Sequence, residues 1–164
     1  MAEEDRLLHG QEYATASDDG TSEPRSVTSR VETYIDHRGE RQEFIPESTI
    51  WYIQYVQQPN LDDNKFHKTF RRRFRMPYSE FQELLAQIQL CHQIFHRWVN
   101  PDGSRARDTS GKLAPPISLL LLGALRHLAG GLTFDDISEH TMINEEVQRA
   151  FFHCFNEFRN SYTE

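Results

Sequence analysis

Cysteine is scarce in this chain. Only Cys91 and Cys154 occur, 63 positions apart and in no paired spacing, which fits a reducing compartment better than a disulfide scaffold. Both read as buried thiols. Long apolar runs are missing too: Leu119–Leu122 is far too short to span a bilayer. The start, Met-Ala-Glu-Glu-Asp, has neither a hydrophobic signal core nor Arg-rich transit character. The expectation is a soluble intracellular protein, nuclear or cytoplasmic, with no membrane partner. A phosphate-binding loop is also lacking. Gly111-Lys112 imitates the end of one, but the earlier glycine is Gly103, the spacing is wrong and no strand precedes it. Positive charge is in deficit overall, at a net −7, which would argue against a nucleic-acid partner if it were spread evenly.

It is not spread evenly. Residues 1–47 hold 12 acids and 5 Lys/Arg, residues 48–64 hold two acids, residues 65–112 hold 10 bases and 4 acids, and residues 113–164 hold 3 bases and 7 acids. A basic middle, net +6, therefore sits between acidic flanks. An acidic arm beside a basic segment acts either as a solvating tail or as a competitor for the same anionic partner. Residues 1–47 are polar and acidic, and their apolar residues are too sparse to define a buried face, so they read as a disordered acidic tail.

Order is expected from Ser48, where Ile50, Trp51, Ile53, Tyr55 and Val56 form a short helix ended by Pro59. The centre of the basic segment is Lys65-Phe66-His67-Lys68-Thr69-Phe70-Arg71-Arg72-Arg73-Phe74-Arg75-Met76-Pro77. Phe66, Phe70 and Phe74 recur every four residues, so a helix over 64–75 buries them on one face and gives the remainder to cations. Asp62 and Asp63 precede it as caps rather than metal ligands. Pro77 ends it, and Ser79 with Gln82 reads as a capping box for the next helix, which should run unbroken from Ser79 to Trp98 on Phe81, Leu84, Leu85, Ile88 and Phe95. His92 and His96 have zinc-compatible spacing beside Cys91, but no second ligand pair lies near, so no metal is assigned. Asn100–Ala114 reads as a mobile basic loop.

Pro115 and Pro116 introduce the apolar stretch Ile117–Ala129, which Gly130-Gly131 ends; this is the expected core helix. Arg126 and His127 complement its C-terminal dipole. Thr133 then caps a short helix and Asn144 a longer one, with Ile137, Ile143, Val147 and Phe151 between them, the layout of a helix-turn-helix at about 133–160. Three positions depart from the usual pattern. Met142 stands where glycine is normal, and Thr141 and Gln148 stand at apolar sites. Glu145 and Glu146 also open the would-be recognition helix with charges that repel phosphate.

Taken together, Trp51 with Tyr55, Phe70–Phe81, Pro116-Ile117-Ser118, Leu122–Leu128 and Gly131–Ile137 resemble the N-terminal helical region of PIF/Harbinger-type DDE transposases and the plant-transposon-like proteins related to them. The resemblance covers about residues 48–160. It implies an all-α domain at 48–164 that precedes a ribonuclease-H-like nuclease, whose three acidic residues hold two divalent metals. That nuclease is expected to follow the helix-turn-helix, and no strand pattern for it occurs before Glu164. Asp135 and Asp136 sit in the first turn of a helix, where the dipole explains them, and receive no metal role. The expected function is a non-catalytic, DNA-associated module, truncated or domesticated, without a cofactor of its own. Lys65, Lys68, Arg71, Arg72, Arg73 and Arg75 would neutralise phosphates, aided by Arg105, Arg107 and Lys112. Base reading would fall to Asn144, Gln148 and Arg149. The alternative is a protein-interaction module that partners a Myb-like protein, as the resemblance suggests, or a separate nuclease domain.

Overall fold

Pairing begins inside the span expected to be a tail. The computed structural model describes residues 33–35, 41–43 and 45–161; residues 1–32, 36–40 and 44 of the expected acidic tail, and residues 162–164, lie outside the described residues. Strand β1 (Thr33–Ile35) runs antiparallel to β2 (Arg41–Glu43), with Thr33 opposite Glu43 and Ile35 opposite Arg41. From Pro46 onward the architecture is all-α.

Helix α1 (Ile50–Tyr52) is capped by the Thr49 hydroxyl, which accepts from the Tyr52 N–H, and it continues as a π-helical turn over Ile53–Gln57. Trp51 and Tyr55 turn inward and are buried. Helix α2 (Asn64–Phe74) starts where the Asp63 carboxylate accepts from the Lys65 N–H at 2.7 Å. Its phenylalanines do what their spacing demands: Phe66, Phe70 and Phe74 are buried against Tyr55, Tyr78 and Phe81. Each such ring is worth about 1.5–3 kcal/mol in burial alone. The helix closes at Arg75, which adopts the left-handed conformation (φ 59°) and donates its N–H to the Arg71 carbonyl at 2.9 Å.

Helix α3 (Tyr78–Leu90) begins one residue earlier than expected, and the Ser79–Gln82 capping box does not form. Extended Pro77 takes the N-cap place instead, and the start is fixed from outside, by the buried Tyr78 hydroxyl donating to the Tyr55 carbonyl at 2.8 Å. The helix also does not continue to Trp98. It breaks at Cys91 (φ −88°, ψ 47°) and resumes as α4 (His92–Phe95). The bend turns Phe95 and Trp98 onto Phe151, with centroids 5.5 and 5.3 Å apart, and Phe95 onto Phe158. Packing overrides propensity here, and nothing in Leu-Cys-His signals it. Cys91 and Cys154 are half-buried against the core rather than fully buried.

The expected mobile loop is a hydrogen-bonded ribbon. The Asn100 N–H donates to the Ser104 carbonyl and Asp108 to Lys112, with bridges Val99–Arg105 and Arg107–Leu113. Each turn is closed by an aspartate. Asp102 accepts from the Ser104 N–H and hydroxyl, and Asp108 accepts from the Ser110 N–H and hydroxyl and from the Lys112 N–H. These bonds, from Ser104 and Ser110 foremost, hold both carboxyls below the ordinary aspartate pKa.

Helix α5 (Ile117–Gly130) is the core element, with Leu119–Leu122 wholly inaccessible, and it ends at Gly131 in the left-handed conformation that glycine permits. It packs against α2, α3, α6 (Phe134–Thr141) and α7 (Glu145–Ser161). A reciprocal capping box between Thr133 and Asp136 starts α6, and the Asn144 side chain accepts from the Glu146 N–H at the start of α7. Among the described residues, no helix is long and apolar enough to cross a membrane.

Candidate nucleic-acid interface

At about 100° per residue, burial of Phe66, Phe70 and Phe74 leaves one side of α2 for everything else. Lys65, Lys68, Arg71, Arg72 and Arg75 fall within about 120° of circumference opposite the rings, and all five are exposed. None of the ion pairs among the described residues involves them. They border two shallow depressions: about 630 Å³ between Asp63, Asn64, Lys65, Lys68, Thr69 and Arg72, and about 360 Å³ between Lys68, Arg71, Arg72 and Arg75. Lys68 and Arg72 belong to both, so the cationic surface is continuous.

Arg73 does not belong to this surface. It follows Phe66 by two turns and Phe70 by one, so it shares their face and is half-buried. Its Nη1 donates to the Tyr55 hydroxyl at 2.9 Å, and its guanidinium lies 6.0 Å from the Trp51 ring and 5.9 Å from the Tyr55 ring. Burial raises the Tyr55 hydroxyl above its ordinary pKa despite the opposing pull of Arg73, so this is a neutral phenol bonded to a cation. The Arg73 carbonyl in turn accepts from Arg126 Nη1 at 2.9 Å. Arg126, expected only to complement its own helix dipole, thus ties α5 to the end of α2. The i+7 spacing from Phe66 was the available signal for Arg73; Arg126 gave none.

The auxiliary cations are largely committed to the ribbon. Arg105 is half-buried, ion-paired with Glu47, and donates from Nε to the Ala114 carbonyl. Arg107 donates to the Gly111 carbonyl at 2.7 Å. Lys112 is exposed, but it stands in the turn that carries the Asp108 carboxylate.

The expected base readers fare worse. Gln148 is inaccessible to solvent, because it precedes Phe151 and Phe155 at helical spacing and lies on their buried face. Its Nε2 donates to the Thr141 hydroxyl at 3.1 Å, which itself donates to the Ile137 carbonyl and accepts from the Ile143 N–H. The two polar departures from the helix-turn-helix pattern are therefore bonded to one another inside the core. Among the described residues Gln148 Oε1 has no hydrogen-bond partner, and it packs on Gly123, where an added Cβ would lie 2.6 Å from it. Arg149 is exposed, but it is bonded to the Glu145 carboxylate and its guanidinium lies 5.1 Å from the Phe134 ring. Asn144 is exposed and caps α7, its Oδ1 accepting from the Glu146 N–H. Met142, at the glycine position, adopts the left-handed conformation the turn requires (φ 54°).

The resemblance puts its two metals in a nuclease that would follow the helix-turn-helix, not on these helices, and Asp135 and Asp136 receive no metal role. The Asp136 carboxylate accepts from the Thr133 N–H and hydroxyl, bonds that hold it below the ordinary pKa. Among the described residues, no group of three or more His, Cys, Asp and Glu side chains could hold a metal ion. His96, of the zinc-spaced pair, faces the Gln93 carbonyl through Nδ1.

No family model, curated protein or solved structure matches this chain, so the likeness to Harbinger-type transposases rests on the motifs quoted above.

Proposed function

We propose that this chain is a non-catalytic DNA-associated module, akin to the N-terminal part of a Harbinger-type transposase, that holds the DNA backbone through α2. The observation that carries this reading is the division of α2: three phenylalanines anchor it in the core while five cations stand together on its open side. A helix fixed in this way presents charge without ordering long loops, and such charge binds phosphate through counterion release. The contacts position the protein on DNA and carry no sequence information.

The test is fluorescence anisotropy of a labelled DNA duplex with the full chain, as a function of salt. Arg71→Ala/Arg72→Ala should weaken binding and lower the salt slope by about 2, with an unchanged unfolding midpoint. Absence of duplex binding even at low ionic strength would sink the reading. A second reading, a protein-interaction module for a basic partner such as a Myb-like protein, draws on α6 and α7, whose open surface carries Asp135, Asp136, Glu139, Glu146 and Glu157.

A further inference from the structure

We infer that the α2 surface selects duplex DNA over single-stranded DNA and does so without regard to sequence. This rests on the reading above and narrows its ligand. Proteins that hold single strands place aromatic rings where unpaired bases can stack. On α2 every such ring faces inward: Phe66, Phe70 and Phe74 are buried, as are Tyr78 and Phe81 beyond the corner. The one exposed ring, His67, is tied through Nε2 to the Leu61 carbonyl at 2.8 Å and set edge-on to Phe66. The open side therefore has cations and no stacking platform.

Apart from the cations themselves, Asn64 is the one amide beside them that could reach a base edge, and it stands at the first turn of the helix. The polar neighbours of the cations are Asp63, which caps the helix, and Asn64 and Thr69 at the margin of one depression. Elsewhere Gln148 is enclosed, and Asn144 and Arg149 hold partners of their own. What remains is a row of charge on an anchored helix. From Lys65 to Arg75 the helix rises about 15 Å, and a duplex offers one phosphate charge per about 1.7 Å of axis. A fixed row gains most from the densest, stiffest array of phosphates, which is the duplex.

One backbone feature supports a role for the last cation. Arg75 occupies a left-handed helix-ending position with φ 59°, where glycine would be unstrained. An arginine held there places a charge at the end of the row against backbone preference. Arg75→Gly should thus raise the unfolding midpoint while weakening DNA binding, a combination that a merely structural residue would not produce.

The experiment compares this whole 164-residue chain on a duplex, its two separated strands, and duplexes of unrelated sequence and equal length. The expected result is tighter binding to the duplex than to either strand, with affinities that agree within about twofold across sequences. Four to five neutralised phosphates predict a slope of log K on log salt near −3.6 to −4.5, or roughly 150- to 500-fold loss between 50 and 200 mM salt. Equal or tighter binding to a single strand, or a preference of tenfold or more for one duplex sequence, would overturn this inference and leave the DNA reading standing. No binding to any of these DNAs would overturn both.

Discussion

Two helices of this protein are expected to meet DNA, α2 at the phosphates and α7 at base edges, and they differ in where their polar groups go. On α2, five of the six expected cations are exposed and outside the ion pairs of the described residues. On α7, the expected readers are occupied: Gln148 by Thr141, Arg149 by Glu145 and Phe134, Asn144 by the backbone it caps. Register against the buried face decides the outcome, since a polar side chain at helical spacing from phenylalanines is drawn into the core and must find a partner there.

The contrast is best broken at Gly123. An alanine methyl there would meet Gln148 Oε1 at 2.6 Å and Ile137 Cγ2 at 2.9 Å, so Gly123→Ala should cost about 1–3 kcal/mol by overpacking. In a Gln148→Ala background the methyl gains room, and the two penalties should fall short of additive in chemical denaturation. Both variants should bind duplex DNA as the parent does once folded. A loss of affinity in folded Gln148→Ala would return that residue to the interface.

A smaller effect, of opposite sign, is expected at the turn between α6 and α7. Met142 is exposed and left-handed, so Met142→Gly should stabilise the fold by up to about 1 kcal/mol in the same assay. Smallest of all is Arg149→Ala. It removes an exposed i,i+4 pair with Glu145 worth about 0.5 kcal/mol or less and should leave the salt slope of DNA binding unchanged. A slope reduced by about 1 would show that Arg149 contacts phosphate after all.

The periodic parts of the fold were legible in the sequence. The buried phenylalanines of α2, the leucines of α5, the Asp63, Thr133 and Asn144 caps and the Gly131 stop follow from spacing and local chemistry alone. What was not legible depends on contacts distant in sequence. The break at Cys91 serves Phe151 and Phe158, the start of α3 is set by Tyr55, and Arg126 reaches Arg73 across 53 positions. The ribbon at 99–114 was misread because Asp, Ser, Gly and Lys look the same in a loose loop and in a turn closed by its own aspartate. At the candidate site, the open cations of α2 were visible, while the internal destinations of Arg73 and Gln148 required the helix wheel to be read for cations and amides as strictly as for rings.

The Thr141–Gln148 hydrogen bond, packed on Gly123, also bears on how such a chain diverges. Three positions share one small volume and constrain one another: an apolar residue at 148 would remove the amide from which the Thr141 hydroxyl oxygen accepts, and a side chain at 123 would require a shorter residue at 148. Among diverged copies, these three sites should change together or not at all. The exposed charges of α2, by contrast, touch no shared volume and can be exchanged one at a time.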